Sequence, residues 1–167
     1  MAHRASPRSK RNIREFANKI RRMTGVKDSE QLNIISCLEL FCSGVETEYT
    51  LEIVPEEELR NAYAQTIPSQ KVVLIREDVY YGALSGNARD RFTLAHELGH
   101  VFLHNDNTVV LSRGSENIPI YENPEWQANT FAAEFLVPTN KAKNMNAFEI
   151  VARYNCSFEV ACIQAKG

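Results

Sequence analysis

The stretch RFTLAHELGHVFLH, residues 91–104, constrains this chain more than any other part of it. Phe92, Ala95, Leu98, Gly99, Phe102 and Leu103 recur at three-to-four spacing, which predicts a helix with an apolar stripe. On that helix His96 and His100 stand one turn apart and project from a common face. Two imidazoles so placed can grip one zinc ion at about 2.0 Å each. Glu97 is turned roughly 100° from His96 about the helix axis, away from the metal but within reach of a water bound there. That is the position of a general base: zinc brings the pKa of its water to about 7 and the carboxylate takes the proton. An H-E-x-x-H pattern also arises by chance on wet helix faces. Here, however, both histidines lie in an otherwise apolar helix, where buried polar groups need partners and one metal ion supplies a partner for both.

A second helix start is written with equal clarity in Asn123-Pro124-Glu125: an N-cap asparagine, proline in the first turn and an acid at the N-terminus. Ala128, Phe131, Ala132 and Phe135 form its apolar stripe, and Pro138 stops it. Packed antiparallel beside the first helix, it would deliver Glu125 to the metal as a third ligand, with Asn129 bonding a ligand histidine from behind. Glu134 is the rival ligand, and position in the sequence does not decide between the two.

The 167 residues suit one domain, or one domain with a small appendage. No apolar run approaches the roughly 18 residues of a membrane span, and the basic N-terminus leads into no apolar signal segment, so a cytoplasmic protein is expected. Cys37, Cys42, Cys156 and Cys162 lack paired C-x-x-C spacing, which points to free thiols. The formal net charge is only −2, but residues 1–22 hold eight Lys or Arg against the single acid Glu15.

In chain order, residues 1–8 read as a disordered basic tail, and residues 9–44 as two helices. The first begins at Ser9, carries Ile13, Phe16, Ile20 and Met23 on one face, and stops at Gly25; its basic face suits either solvent or a nucleic-acid contact. The second is capped by Asp28 or Ser29 and carries Leu32, Ile35, Leu38 and Phe41. The main domain is expected over residues 45–167. Residues 49–54 alternate as a strand, 62–66 and 71–75 pair as a hairpin, and 77–84 form a short helix before the N-cap at Asn87. The run KVVLI at 71–75 is the most strand-like, and its edge is where a peptide would add as a further strand. Residues 105–122 read as a long surface loop able to cover the cleft. Two short helical patterns close the chain. The fold class is therefore α+β, a small, largely antiparallel sheet against a helical bundle that carries the histidine helix.

The two blocks together, residues 91–104 and EWQANTFAAEFLVP at 125–138, resemble the ImmA/IrrE family of zinc metallopeptidases, a resemblance that spans about residues 45–165. It implies a gluzincin-like fold in which His96, His100 and Glu125 hold zinc and Glu97 is the catalytic base. It also implies a protein substrate, a helix-turn-helix repressor whose cleavage releases genes of a mobile element, phage defence or stress response. His104 follows the second histidine by four residues, a further turn of about 5.4 Å, whereas metzincins place their third ligand six residues on. A hydrogen bond at the cleft is therefore expected of His104 rather than ligation. Two other classes compete with the peptidase: a non-catalytic regulator that uses the same metal site for association, and a DNA-binding protein acting through the basic N-terminal helix. Restraint of the enzyme is assigned to substrate selectivity and the 105–122 loop ahead of a thiol occupying the open metal position.

Overall fold

The computed structural model describes residues 2–104, 109–112 and 117–167. The N-terminal helix α1 (Lys10–Met23) begins where expected: Ser9 caps it by accepting from the Asn12 amide, and Gly25 follows its end at φ 80°, a left-handed turn suited to glycine. Helix α2 (Ile34–Phe41) starts later than expected. Asn33 is its cap rather than Asp28 or Ser29, and Leu32 is buried in the turn that precedes it. Strands β2 (Thr50–Val54), β3 (Ala64–Ile67) and β4 (Val72–Arg76) then form a sheet in the order β2-β4-β3.

The predicted hairpin is present: β3 and β4 are antiparallel, with Thr66 opposite Val73. The sheet as a whole is mixed, because β2 pairs with β4 in parallel, Leu51 opposite Val73. The reason lies in β4 itself. Val72, Val73, Ile75 and Arg76 are all buried, so this near-continuous apolar run demands cover on both faces and takes the centre of the sheet. It is therefore not the edge at which a peptide could add, contrary to the expectation for 71–75. The outer strands are β2 and β3.

Helix α3 (Glu77–Leu84) has the bounds the sequence predicts, and Asn87 caps α4 (Ala88–Leu103) by accepting from the Asp90 amide. Helix α5 (Pro124–Leu136) is capped by Asn123, which accepts from the amides of both Glu125 and Trp126. The short helices α6 (Thr139–Ala142), α7 (Ala147–Tyr154) and α8 (Phe158–Ala165) complete the bundle. One apolar core runs through α1, α2, the sheet, α4 and α5.

Two further corrections concern the N-terminus and the loop. Residues 2–5, expected to lack structure, form strand β1 (Ala2–Ala5), which pairs antiparallel with β5 (Val109–Ser112). The segment read as irregular thus contains β5 and, further on, a 3-10 turn over Ile120–Glu122. Whether the loop covers the cleft turns on residues 105–108 and 113–116, which lie outside the described residues.

Two buried arginines, Arg91 and Arg21, and the half-buried Arg14 tie the helices together. Arg91, on α4, donates to the carbonyls of Tyr154 (3.2 Å), Asn155 (2.9 Å) and Leu32 (2.7 Å), and so satisfies the end of α7 and the turn before α2. Arg21 donates to Phe135 O (2.7 Å), in the last turn of α5, and to Lys27 O and Glu30 O. Arg14 pairs with the buried Glu134 at 2.9 Å. Replacing Arg91→Met should leave three main-chain carbonyls without their donor; a loss of about 3 kcal/mol is expected from the guanidinium unfolding midpoint with an unchanged slope.

Candidate metal centre

Helices α4 and α5 lie against each other more extensively than any other pair of described elements. They run antiparallel: His96 meets Asn129, Gly99 meets Ala128 and His100 meets Glu125. Gly99 makes this approach possible, since a Cβ there would stand 3.0 Å from Ala128 Cα and 3.1 Å from Ala128 O. Both obstacles are backbone, so no side chain could move aside.

The approach brings four atoms to one point. His96 Nε2 and His100 Nε2 are 3.0 Å apart, and each stands 3.1 Å from one oxygen of the Glu125 carboxylate. A tetrahedral ion with bonds of about 2.0–2.1 Å spaces its ligand atoms by about 3.3 Å, so the set is sized for one within a few tenths. Its chemistry fits as well. His96 Nδ1 lies 2.7 Å from Asn129 Oδ1, which can only accept, so the ring proton points outward and the Nε2 lone pair points inward. Two imidazole lone pairs and a carboxylate facing one another call for a cation between them. Among the described residues these three are the group of His, Cys, Asp or Glu able to hold a metal ion.

Electrostatics agree with that reading. Burial works against a charge on His96, but the contact with Glu125 and the charges of Glu97 and Glu125 outweigh it, and its pKa is raised. The contacts with His100 and His96 hold the Glu125 carboxyl well below the usual carboxylate range. Glu134 is elsewhere: nine residues further along α5, it is buried against Arg14 and bonds the hydroxyl of Thr139. Of the two acids, Glu125 is the one that stands beside the histidines.

Glu97, next to His96 on α4, is 6% exposed and reaches the sheet. There Thr66 on the outer strand β3 donates its hydroxyl to Glu97 Oε2 at 2.6 Å. Just before β3, the ring of Tyr63 packs under the guanidinium of Arg89, 4.3 Å away, so the chain meets α4 at Arg89 and again, through Thr66, at Glu97. His104 stands outside the cluster, buried, with its Nδ1 at 2.8 Å from His100 Nδ1 and its Nε2 at 2.8 Å from Gln127 Oε1. Burial lowers its pKa to about 4, which keeps the ring neutral.

Thr66 and Gln127 were not among the residues singled out from the sequence. Thr66 gives no local signal, because its role comes from a strand pairing and a helix far along the chain. Gln127 does give one: it falls on the buried stripe of α5, where an amide needs partners.

A family model described as the IrrE N-terminal-like domain, a peptidase family, matches residues 55–166. The chain belongs to this family. Among solved structures, a Mycobacterium tuberculosis transcriptional regulator is similar in fold, with a TM-score of 0.59 at 17% identity. The match covers 90% of this chain and 45% of that one, so the present chain spans about half its length. No curated protein matches. Membership agrees with the two sequence blocks that carry the resemblance, both of which fall inside the matched span.

Two measurements probe the geometry. Gly99→Ala should force α5 away from α4, lowering stability by about 1–3 kcal/mol and weakening metal binding as Glu125 is displaced; thermal unfolding and a zinc titration read the two effects. The thiols are a separate matter. Cys37, Cys42 and Cys156 are buried, with burial raising their pKa values to about 11, 12 and 11, and none belongs to the metal-ligand group. Iodoacetamide at neutral pH should therefore label Cys162, the partly exposed one, well before the others; equal labelling of all four in the native protein would contradict this.

Proposed function

We propose that the chain is a zinc-dependent endopeptidase that cleaves one specific protein partner in the cytoplasm, a transcriptional repressor of helix-turn-helix type, and so releases genes of a mobile element, phage defence or stress response. The partner is what membership of the ImmA/IrrE type implies. The observation that supports the chemistry is the convergence of His96, His100 and Glu125 on one point, with Glu97 on the same helix facing an outer strand.

His96 and His100 would hold zinc through Nε2 and Glu125 through its carboxylate. Zinc bound there supplies a Lewis acid that polarises the scissile carbonyl and makes a water acidic. The remaining work falls to the protein. An extended peptide adds to the outer edge of β3, the strand that runs past Glu97, and its backbone is thereby aligned with the site. Thr66 holds one oxygen of Glu97, which leaves the other to accept the proton of the attacking water and return it to the leaving amine. The C–N bond breaks, and a carboxylate and an amine are the products.

Of the basic residues of α1, Arg14 and Arg21 turn inward to Glu134 and to main-chain carbonyls, which takes these two out of any nucleic-acid contact. A non-catalytic metal-binding regulator would have the same three ligands but no need of a buried carboxylate at position 97.

Glu97→Gln separates these readings. Incubated with a candidate repressor and followed by intact mass, the wild-type protein should yield two fragments while leaving casein nearly intact. The variant should cut about 10²–10⁴ times more slowly with unchanged zinc content and melting temperature. Undiminished action on the partner by the variant would favour the regulator.

A further inference from the structure

The buried pair of His104 and Gln127 is not used in the chemistry above, yet it touches a proposed ligand. Gln127 is fully buried, and its side-chain amide donates to Ser6 O at 2.9 Å and to Tyr121 O at 2.7 Å. Those two acceptors are main-chain carbonyls, which cannot donate. They fix which end of the amide is nitrogen, so Oε1 must be the atom that faces His104 Nε2 at 2.8 Å. An amide oxygen only accepts. His104 therefore carries its proton on Nε2, and in the neutral ring its Nδ1 is a bare acceptor. The next contact is His100 Nδ1 at 2.8 Å, where one proton must lie between two nitrogens. Since His104 Nδ1 accepts, His100 Nδ1 donates. The His100 Nε2 lone pair is then free and aimed at Glu125 and His96.

The opposite assignment fails at each step. Were His104 to donate from Nδ1, its Nε2 lone pair would face the lone pairs of Gln127 Oε1; turning the amide over would face its oxygen to two carbonyls. It would also put the His100 proton on Nε2, where a metal must bind.

We propose that His104 is a positioning residue: with Gln127 it forms a neutral hydrogen-bond relay that fixes the tautomer and ring plane of His100 and ties the metal centre to the backbone at Ser6 and Tyr121. The relay rests on the reading of His100 as a metal ligand. It gives the N-terminal segment a place in the site, since Ser6 follows β1 directly, and Arg8 N bonds the same Tyr121 carbonyl at 2.9 Å. The two ligand histidines are held differently. His96 is steadied by one exposed amide, Asn129, whereas His100 is steadied by a buried chain of two side chains and two carbonyls.

The test uses zinc-loaded, ¹⁵N-labelled full chain and long-range proton–nitrogen correlation of the imidazoles. The expected result is a His104 with protonated Nε2 and unprotonated Nδ1; a proton on Nδ1 would overturn the relay. Zinc affinity, read by competition with a chromophoric chelator, gives an independent arm. His104→Phe keeps the volume but not the acceptor and should bind about 10–100-fold more weakly. His104→Asn packs worse but puts an acceptor oxygen at the Nδ1 position, and should recover much of that loss. A role in packing alone predicts the reverse order, with Phe the better replacement. Wild-type affinity in His104→Phe would overturn the relay while leaving the metal site standing, whereas a wild-type protein that takes up no zinc would remove both.

Discussion

The convergence of His96, His100 and Glu125 depends on one backbone contact, that of Gly99 on α4 against Ala128 on α5. Because the helices meet there with no side chain between them, residues on either side of the contact are brought within hydrogen-bond range, Asn129 at His96 and Glu125 at His100. The register matters as much as the distance. A slip of one turn, about 5.4 Å, would carry Glu125 out of reach of both imidazoles. The register is held by the cap at Asn123, which starts α5 two residues before Glu125, and by Ala128, Phe131 and Ala132, which are fully buried along the contact side. Placement in the first turn has a further effect, since the exposed amides of a helix N-terminus favour a carboxylate.

The bundle around this contact is held by cations in unusual places. Helices this short leave many terminal carbonyls without partners, and burying those is costly. Arg21 and Arg91 answer that need by carrying several donors each into the core, where a lysine could satisfy fewer. Arg14 meets Glu134, the one acid buried beside α1. These contacts explain why a helix with a strongly basic face packs into the protein. They also explain why Glu134, so close in sequence to the site, takes no part in it.

What was legible in the sequence was what short-range chemistry decides. The caps at Ser9, Asn87 and Asn123, the bounds of α3 and the pairing of β3 with β4 all follow from neighbours within a few residues. The spacing that puts His96 and His100 on one face of α4 was readable for the same reason. The misses are long-range. Asn33 starts α2 although Asp28 and Ser29 are good caps, because Leu32 is needed in the core and its carbonyl is taken by Arg91. The position of β4 between β2 and β3 depends on burial of both its faces, which a hairpin signal does not contain. β1 exists through a partner more than a hundred residues away. Thr66 and Gln127 belong to the same class, each defined by a contact with a distant element.

The charges around the site form a connected argument. Asn129 supports His96 with a neutral amide, and the relay through His104 and Gln127 supports His100 without a carboxylate. Among the described residues, Glu125 is therefore the anion in direct contact with the two histidines. A divalent ion held by this set would keep a larger net positive charge than if each histidine leaned on an acid, and would be the stronger electrophile for it. Glu97 lies one residue from His96, almost fully buried, with one hydroxyl donor from Thr66. The neutral supports of the histidines would thus leave an ion held there positive enough to polarise a carbonyl.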